Sequence, residues 1–240
     1  MSKEPEIIYE DLDIVAINKP PDFLVHSTPQ GKNNGEKTLS AWLLRRYPEI
    51  ANVGDSPTRP GMVHRLDKDT SGVMVITKNQ ETFDYLKSQF KNRVVDKTYR
   101  AIVFGVPKND AGVIKGTISI KPGTTKRTVY KGKMPKEAVT EYKVLERFEN
   151  AALLEVHPKT GRTHQVRIHL ASINHPVFGD PLYSSKTSKK IFIPQLERQM
   201  LHAYEIELET RKGRKIRIKA DEQEDFLSVL QYLRKTPKLD

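Results

Sequence analysis

Cysteine is absent from this 240-residue sequence. Its absence excludes a disulfide framework, cysteine-ligated zinc and a thiol nucleophile. Long apolar runs are also missing: none approaches the ~20 residues that span a bilayer, so no membrane partner is expected. The N-terminal stretch MSKEPEIIYEDLD is polar and lacks the apolar core of a signal peptide. The expected compartment is therefore the cytoplasm. Acidic residues are the minority charge, 30 against 41 Lys plus Arg, which leaves a formal net charge of +11. An excess of this size favours polyanionic partners, because each neutralised phosphate releases counterions. With 37% hydrophobic and 30% charged residues, the composition is that of a folded chain rather than a disordered one.

Several motifs of other chemistries are absent or defective. Gly31-Lys32-Asn33-Asn34-Gly35-Glu36-Lys37-Thr38 looks like a phosphate loop. However, the glycines stand one residue too close, and Glu36 would repel a phosphate. His164 and His169 are five residues apart, whereas zinc-binding pairs on a helix use a spacing of about four. No Gly-x-Ser-x-Gly elbow occurs, which argues against a serine hydrolase. His64, Asp67 and Asp69 could form a metal site, but Arg65 and Lys68 lie among them, and histidines making hydrogen bonds are the expected reading.

Periodicity predicts strands interspersed with helices. Residues 12–17, 73–77, 98–104 and 113–120 read as strands. So do 139–145 and 152–157. Thr38 is placed to cap a helix carrying Leu39, Trp42, Leu43 and Tyr47 on one face, which Pro48 closes. A second helix carries Phe83, Leu86 and Phe90. A third, capped by Thr163, carries Val166, Leu170 and Ile173 and ends at His175-Pro176. Residues 204–208 and 215–219 alternate around Arg211-Lys212-Gly213 as a hairpin. Asp221 and Glu224 suggest a capping box for a last helix bearing Phe226, Leu227, Leu230 and Leu233. Residues 26–37 read as a polar loop, and the basic 121–136 stretch as a flexible arm. The expected fold is a mixed α/β (α+β) domain spanning residues 1–240.

Three segments concentrate polar chemistry. The first is His64-Arg65-Leu66-Asp67-Lys68-Asp69-Thr70-Ser71-Gly72, between a loop and a strand, where scaffolds present functional groups. Taken alone, it is equally a surface turn with local ion pairs. The second is Asp96-Lys97-Thr98-Tyr99-Arg100-Ala101. The third runs Gly161-Arg162-Thr163-His164-Gln165-Val166-Arg167-Ile168-His169-Leu170 and is followed by Gly179-Asp180-Pro181-Leu182-Tyr183.

Together with Asn18-Lys19-Pro20 and Leu201-His202-Ala203, and in this order, the segments resemble the RluA-type pseudouridine synthases. The resemblance runs from about Ile8 to Ala203. It implies a largely antiparallel sheet flanked by helices with a central RNA-binding cleft, and isomerisation of uridine to pseudouridine in structured rRNA or tRNA without cofactor or metal. It also implies that Asp67 is the catalytic carboxylate, that Tyr99 stacks on the target base, and that Arg167 pairs with the aspartate. Arg65 would fill the space left by a flipped base, Leu201 would line the uracil pocket, and His64 and Arg162 would contact substrate. Asp69 matches a variable position. The family often carries a small N-terminal RNA-binding domain, and this sequence is expected to lack one; a monomer is the simplest expectation. A target uridine must leave its stack, at a cost of a few kcal/mol that stacking on Tyr99 would offset. Arginine suits a role opposite Asp67 because its planar fork grips a carboxylate and stays charged. Two alternatives remain at this point: an RNA-binding protein without catalysis, and metal-dependent phosphodiester cleavage by His64, Asp67 and Asp69.

Overall fold

The computed structural model describes residues 4–25, 38–124, 126–184 and 196–235. The polar 26–37 stretch, and with it all of the phosphate-loop look-alike except Thr38, lies outside the described residues. The chain divides into two compact units, Met1–Asp96 with Ala203–Asp221, and Lys97–His202 with Glu222–Asp240.

In the first unit, β1 (Glu6–Glu10), β2 (Ile14–Lys19), β3 (Ser71–Thr77), β9 (Leu201–Glu209, from Ala203 onward in this unit) and β10 (Lys215–Lys219) follow one another in the sheet. β2 and β3 pair antiparallel from Ile14↔Thr77 to Lys19↔Gly72. Every residue of both strands is buried, which explains their nearly continuous apolar sequence. The outer strand β10 alternates exposed Lys and Arg with buried Ile216 and Ile218, the pattern of a half-buried strand. α1 (Leu39–Arg46) starts where expected, with the Thr38 hydroxyl accepting from the Ala41 N–H at 3.2 Å and Leu39, Trp42 and Leu43 buried. A 3-10 turn, Pro48–Asn52, follows. α2 (Gln80–Asn92) is capped by Asn79 and buries Phe83 and Leu86.

In the second unit, β4 (Asp96–Phe104), β8 (Ala151–Pro158), β7 (Lys133–Arg147), β5 (Ala111–Ile120) and the short β6 (Arg127–Thr128) pair antiparallel in that spatial order. The period of two assigns its faces. Ala101, Val103, Ala152, Leu154 and Val156 pack with Val166 and Leu170 of α3 (Gln165–Ser172). Ile102, Ala151 and Leu153 pack with Phe226, Val229 and Leu230 of α4 (Glu224–Lys235).

Several local expectations need correction. Leu12 is 89% exposed, and the strand begins only at Ile14. β1 was not anticipated, because its sequence is charged at both ends. The 121–136 arm is partly sheet: β6 pairs with β5, and β7 pairs with β5 from Ala111↔Lys143 as far as Ile120↔Lys133. The N-cap of α3 is His164 in the left-handed region (φ 56°), not Thr163. α4 begins at Glu224, too late for Asp221 to cap it, and Leu227 is exposed.

Candidate active site

The 61–72 loop of the first unit is held at both ends. Gly61 (φ 65°) receives the Thr77 N–H at 2.9 Å and the Thr77 hydroxyl at 3.1 Å on its carbonyl. Gly72 (φ 115°) enters β3 so close to β9 that an added Cβ would stand 2.2 Å from the Ala203 carbonyl oxygen. Only glycine tolerates both that backbone and that approach. Between these ends, His64 accepts the Val75 N–H on Nε2 at 2.9 Å. Its ring stacks on Phe90 with centroids 4.8 Å apart. An imidazole that accepts through Nε2 cannot carry a proton there. The same contact takes that lone pair away from the metal alternative, and among the described residues no three His, Asp or Glu side chains gather as metal ligands.

Lys19 supplies the deepest anchor. It is fully buried, and its Nζ donates to the carbonyls of Pro20 (2.8 Å), Phe23 (3.2 Å) and Lys68 (2.7 Å). Three acceptors match the three N–H groups of an ammonium, which is how a buried cation is made tolerable. The Lys68 carbonyl sits inside a turn closed by the Thr70 N–H on the Asp67 carbonyl at 3.2 Å. That turn puts Asp67 at its entry and Lys68-Asp69 at its tip. Asp67 is half-buried, Leu66 and Thr70 are buried, and Arg65 is exposed. Although Arg65 is exposed as a residue, its guanidinium end is desolvated enough to lower its pKa, and the Asp67 carboxylate opposes that shift. His64, Arg65 and Asp67 are thus presented by one loop.

In the second unit, α3 carries Arg167 almost fully buried. Its Nε and Nη2 donate to the two carboxylate oxygens of Asp180 at 2.7 and 2.9 Å, a bidentate pair. One oxygen of Asp180 also accepts the Leu182 and Tyr183 N–H groups. The Tyr183 ring lies against the guanidinium, 5.4 Å from centroid to Cζ, and its hydroxyl is 2.9 Å from His164 Nδ1. The Gly179-Asp180-Pro181-Leu182-Tyr183 string is therefore the seat of Arg167. Gly179 belongs to it because a Cβ there would meet the Arg198 carbonyl at 2.0 Å.

The remaining polar residues of this helix are spent on the fold. Gln165 accepts from the Thr160 hydroxyl and the Arg162 N–H, and donates to the Val139 carbonyl and Thr140 hydroxyl. His169 is fully buried, with Nδ1 2.9 Å from the Thr140 hydroxyl and Nε2 without a partner. Desolvation lowers its pKa to about 4, so the ring is neutral. Tyr99, opposite Val156 in the sheet, packs on the apolar cluster that also holds Leu201, Val166 and Leu170. Tyr99, Leu201 and the helix of Arg167 thus share one packed base. Arg162 lies apart from that cluster, its Nε donating to the Glu137 carbonyl at 3.1 Å. Sequence reasoning quoted Lys19 and Asp180 within matched strings but gave them no role. The available signal was a lysine inside a strand otherwise buried, and an aspartate behind a glycine.

Known proteins resemble this chain in sequence and in fold. The sequence model described as RNA pseudouridylate synthase matches residues 13–172. An uncharacterized RNA pseudouridine synthase of Aquifex aeolicus (strain VF5) is 42% identical over 95% of this chain and 72% of its own length. The ribosomal large subunit pseudouridine synthase D of Haemophilus ducreyi is 38% identical over 95% of this chain and 70% of its own. Its namesake in Escherichia coli (strain K12) is 41% identical over 82% and 60%. The chain thus spans about 60 to 72% of the length of these curated relatives. Among solved structures, human RNA pseudouridylate synthase domain containing 4 superposes with a TM-score of 0.74 at 26% identity, over 95% of this chain and 93% of that one. The family model covers about two thirds of the chain and the Aquifex relative is 42% identical over nearly all of it, and on that ground the chain belongs to the RNA pseudouridylate synthase family.

Proposed function

We propose that the protein isomerises uridine to pseudouridine in structured ribosomal RNA of the large subunit, with transfer RNA as the other substrate class its charge would suit. The relatives named for the large ribosomal subunit support the first choice. The observation that carries the reading is the loop of Asp67. Lys19, His64 and Gly72 commit their contacts to fixing it, while the Asp67 carboxylate stands half-buried at the entry of its turn.

In this reaction the N1–C1′ bond breaks, the uracil turns, and C5 bonds to C1′. The C5 proton is lost and N1 gains one, so no oxidant, reductant or cofactor is needed. Asp67 acts either as nucleophile at the sugar or as base at C2′. The uridine is flipped from its stack, Tyr99 offers an aromatic face to the extruded base, and Arg65 occupies the space left behind. Arg167, held by Asp180, completes the catalytic set with Asp67 and Tyr99 in this reading. Leu201 and Arg162 are substrate contacts in the same reading, and the protein works as a monomer in the cytoplasm.

The test is incubation of the protein with unmodified ribosomal and transfer RNA, followed by nucleoside chromatography. Pseudouridine at a discrete site supports the proposal. Tight RNA binding with every uridine unchanged would favour a binding protein on the same scaffold.

A further inference from the structure

A recess of about 170 Å³ opens in the second unit between the β5–β6–β7 corner and the segment leading into α3. Arg127, Lys136 and Arg162 line it, together with Ser119, Gly161 and Thr163. The cations arrive from three separate pieces of chain. Arg127 stands opposite Ile120 in the sheet, and Lys136 opposite Ile118. Arg162 is fixed by its bond to the Glu137 carbonyl. Three other surface arginines close on carboxylates: Arg147 on Asp110, Arg217 on Glu207 and Arg234 on Glu146. Among the described residues, the side chains of Arg127, Lys136 and Arg162 have no such partner. Glu137 follows Lys136 directly in β7, so its side chain leaves by the opposite face of the strand.

Gly161 is a second, independent observation. Its φ is not positive, and an added Cβ would meet nothing within 4 Å. Neither backbone conformation nor packing calls for glycine there. What its missing side chain provides is open approach to the recess.

We propose that this recess seats one backbone phosphate of the RNA substrate, held by Arg127, Lys136 and Arg162, at a nucleotide other than the one modified. The proposal rests on the uridine-isomerase reading and adds to it a fixed point of register. Phosphate contacts position a nucleic acid without reading its sequence, and guanidinium groups match phosphate oxygens in pairs.

The experiment measures anisotropy of a fluorescent substrate RNA and conversion of its uridine, across a series of RNAs each neutralised at one phosphate by methylphosphonate. Wild type should lose about tenfold in affinity at one position outside the target nucleotide. Arg127→Gln/Lys136→Gln should bind about tenfold more weakly and be blind to neutralisation at that same position. Its salt slope should shrink by about 0.7–0.9, the value of one phosphate. Gly161→Met, which keeps every charge and puts bulk at the lip of the recess, should weaken binding similarly while its unfolding midpoint stays unchanged. Lys108→Gln/Lys143→Gln removes equal charge elsewhere and should keep the wild-type pattern. If the variant responds to every methylphosphonate as wild type does, or if the charge-matched control behaves identically to it, the seat is refuted while the isomerase reading stands. If wild type converts no uridine in any substrate RNA, both readings fall together.

Discussion

Lys19→Met removes the anchor beneath the Asp67 turn while keeping the side chain's length. The ammonium donates to three buried carbonyls. Hydrogen bonds to a charged group contribute about 1.5–3 kcal/mol each, hence about 5–9 kcal/mol in all. Against this stands the burial of the cation, which costs several kcal/mol and which methionine escapes. The carbonyls of Pro20 and Phe23 are then left without their donor, whereas the Lys68 carbonyl keeps the Phe23 N–H at 3.4 Å. The net expectation is a loss of about 3 kcal/mol, or a fall of about 6–12 °C in melting temperature for a chain of this size. Urea titration should show a lower midpoint at unchanged slope. Because the Lys68 carbonyl belongs to the turn that places Asp67, kcat for uridine conversion should fall at least about tenfold under conditions where the variant is folded, with KM for RNA changed far less. A midpoint equal to or above wild type would refute the reasoning. It would show that the buried charge costs more than its three bonds return.

Other consequences are as specific. Gly72→Ala should destabilise by at least about 3 kcal/mol, because a Cβ 2.2 Å from the Ala203 carbonyl must push β3 from β9. Gly116→Ala, where nothing lies within 4 Å, should be neutral or slightly stabilising by thermal unfolding. His169 is held neutral in the fold with a pKa of about 4, while the unfolded chain takes up a proton below about 6.5. Its contribution is therefore intact above pH 6.5 and is lost as pH falls towards 4, by about 3 kcal/mol in total. His169→Gln should flatten that part of the stability–pH curve, and an unchanged slope between pH 6.5 and 5 would contradict the assignment. Asp180→Asn removes the carboxylate that grips buried Arg167 bidentately. It should cost about 3–5 kcal/mol by denaturant titration.

What the sequence disclosed depended on whether the cause was local. Thr38 capping α1, the hairpin around Arg211-Lys212-Gly213 and the strand at 73–77 follow from signals within a few residues, and all three are present. β1 offers only three consecutive half-buried apolar or aromatic residues between two exposed glutamates, and the early part of β7 is exposed and largely charged, so neither shows apolar alternation. Thr163 looked like a cap by type, but the chain enters α3 through His164 in a left-handed conformation, leaving the threonine outside. The motif strings around Asp67 and Arg167 were legible as strings. Their internal division of labour was not: Lys19 reaches Lys68 across 49 residues, and Gly72 meets Ala203 across a strand pair. Contacts of that range leave no pattern in a short window.

The central claim is that the Asp67 carboxylate does the chemistry. Its most direct test is release of tritium from RNA labelled at C5 of uridine, comparing wild type with Asp67→Asn at matched RNA occupancy. Wild type should release tritium stoichiometrically, and the variant none above background, although it binds the RNA and unfolds at a similar midpoint. Release by Asp67→Asn at a rate within a fewfold of wild type would contradict the claim.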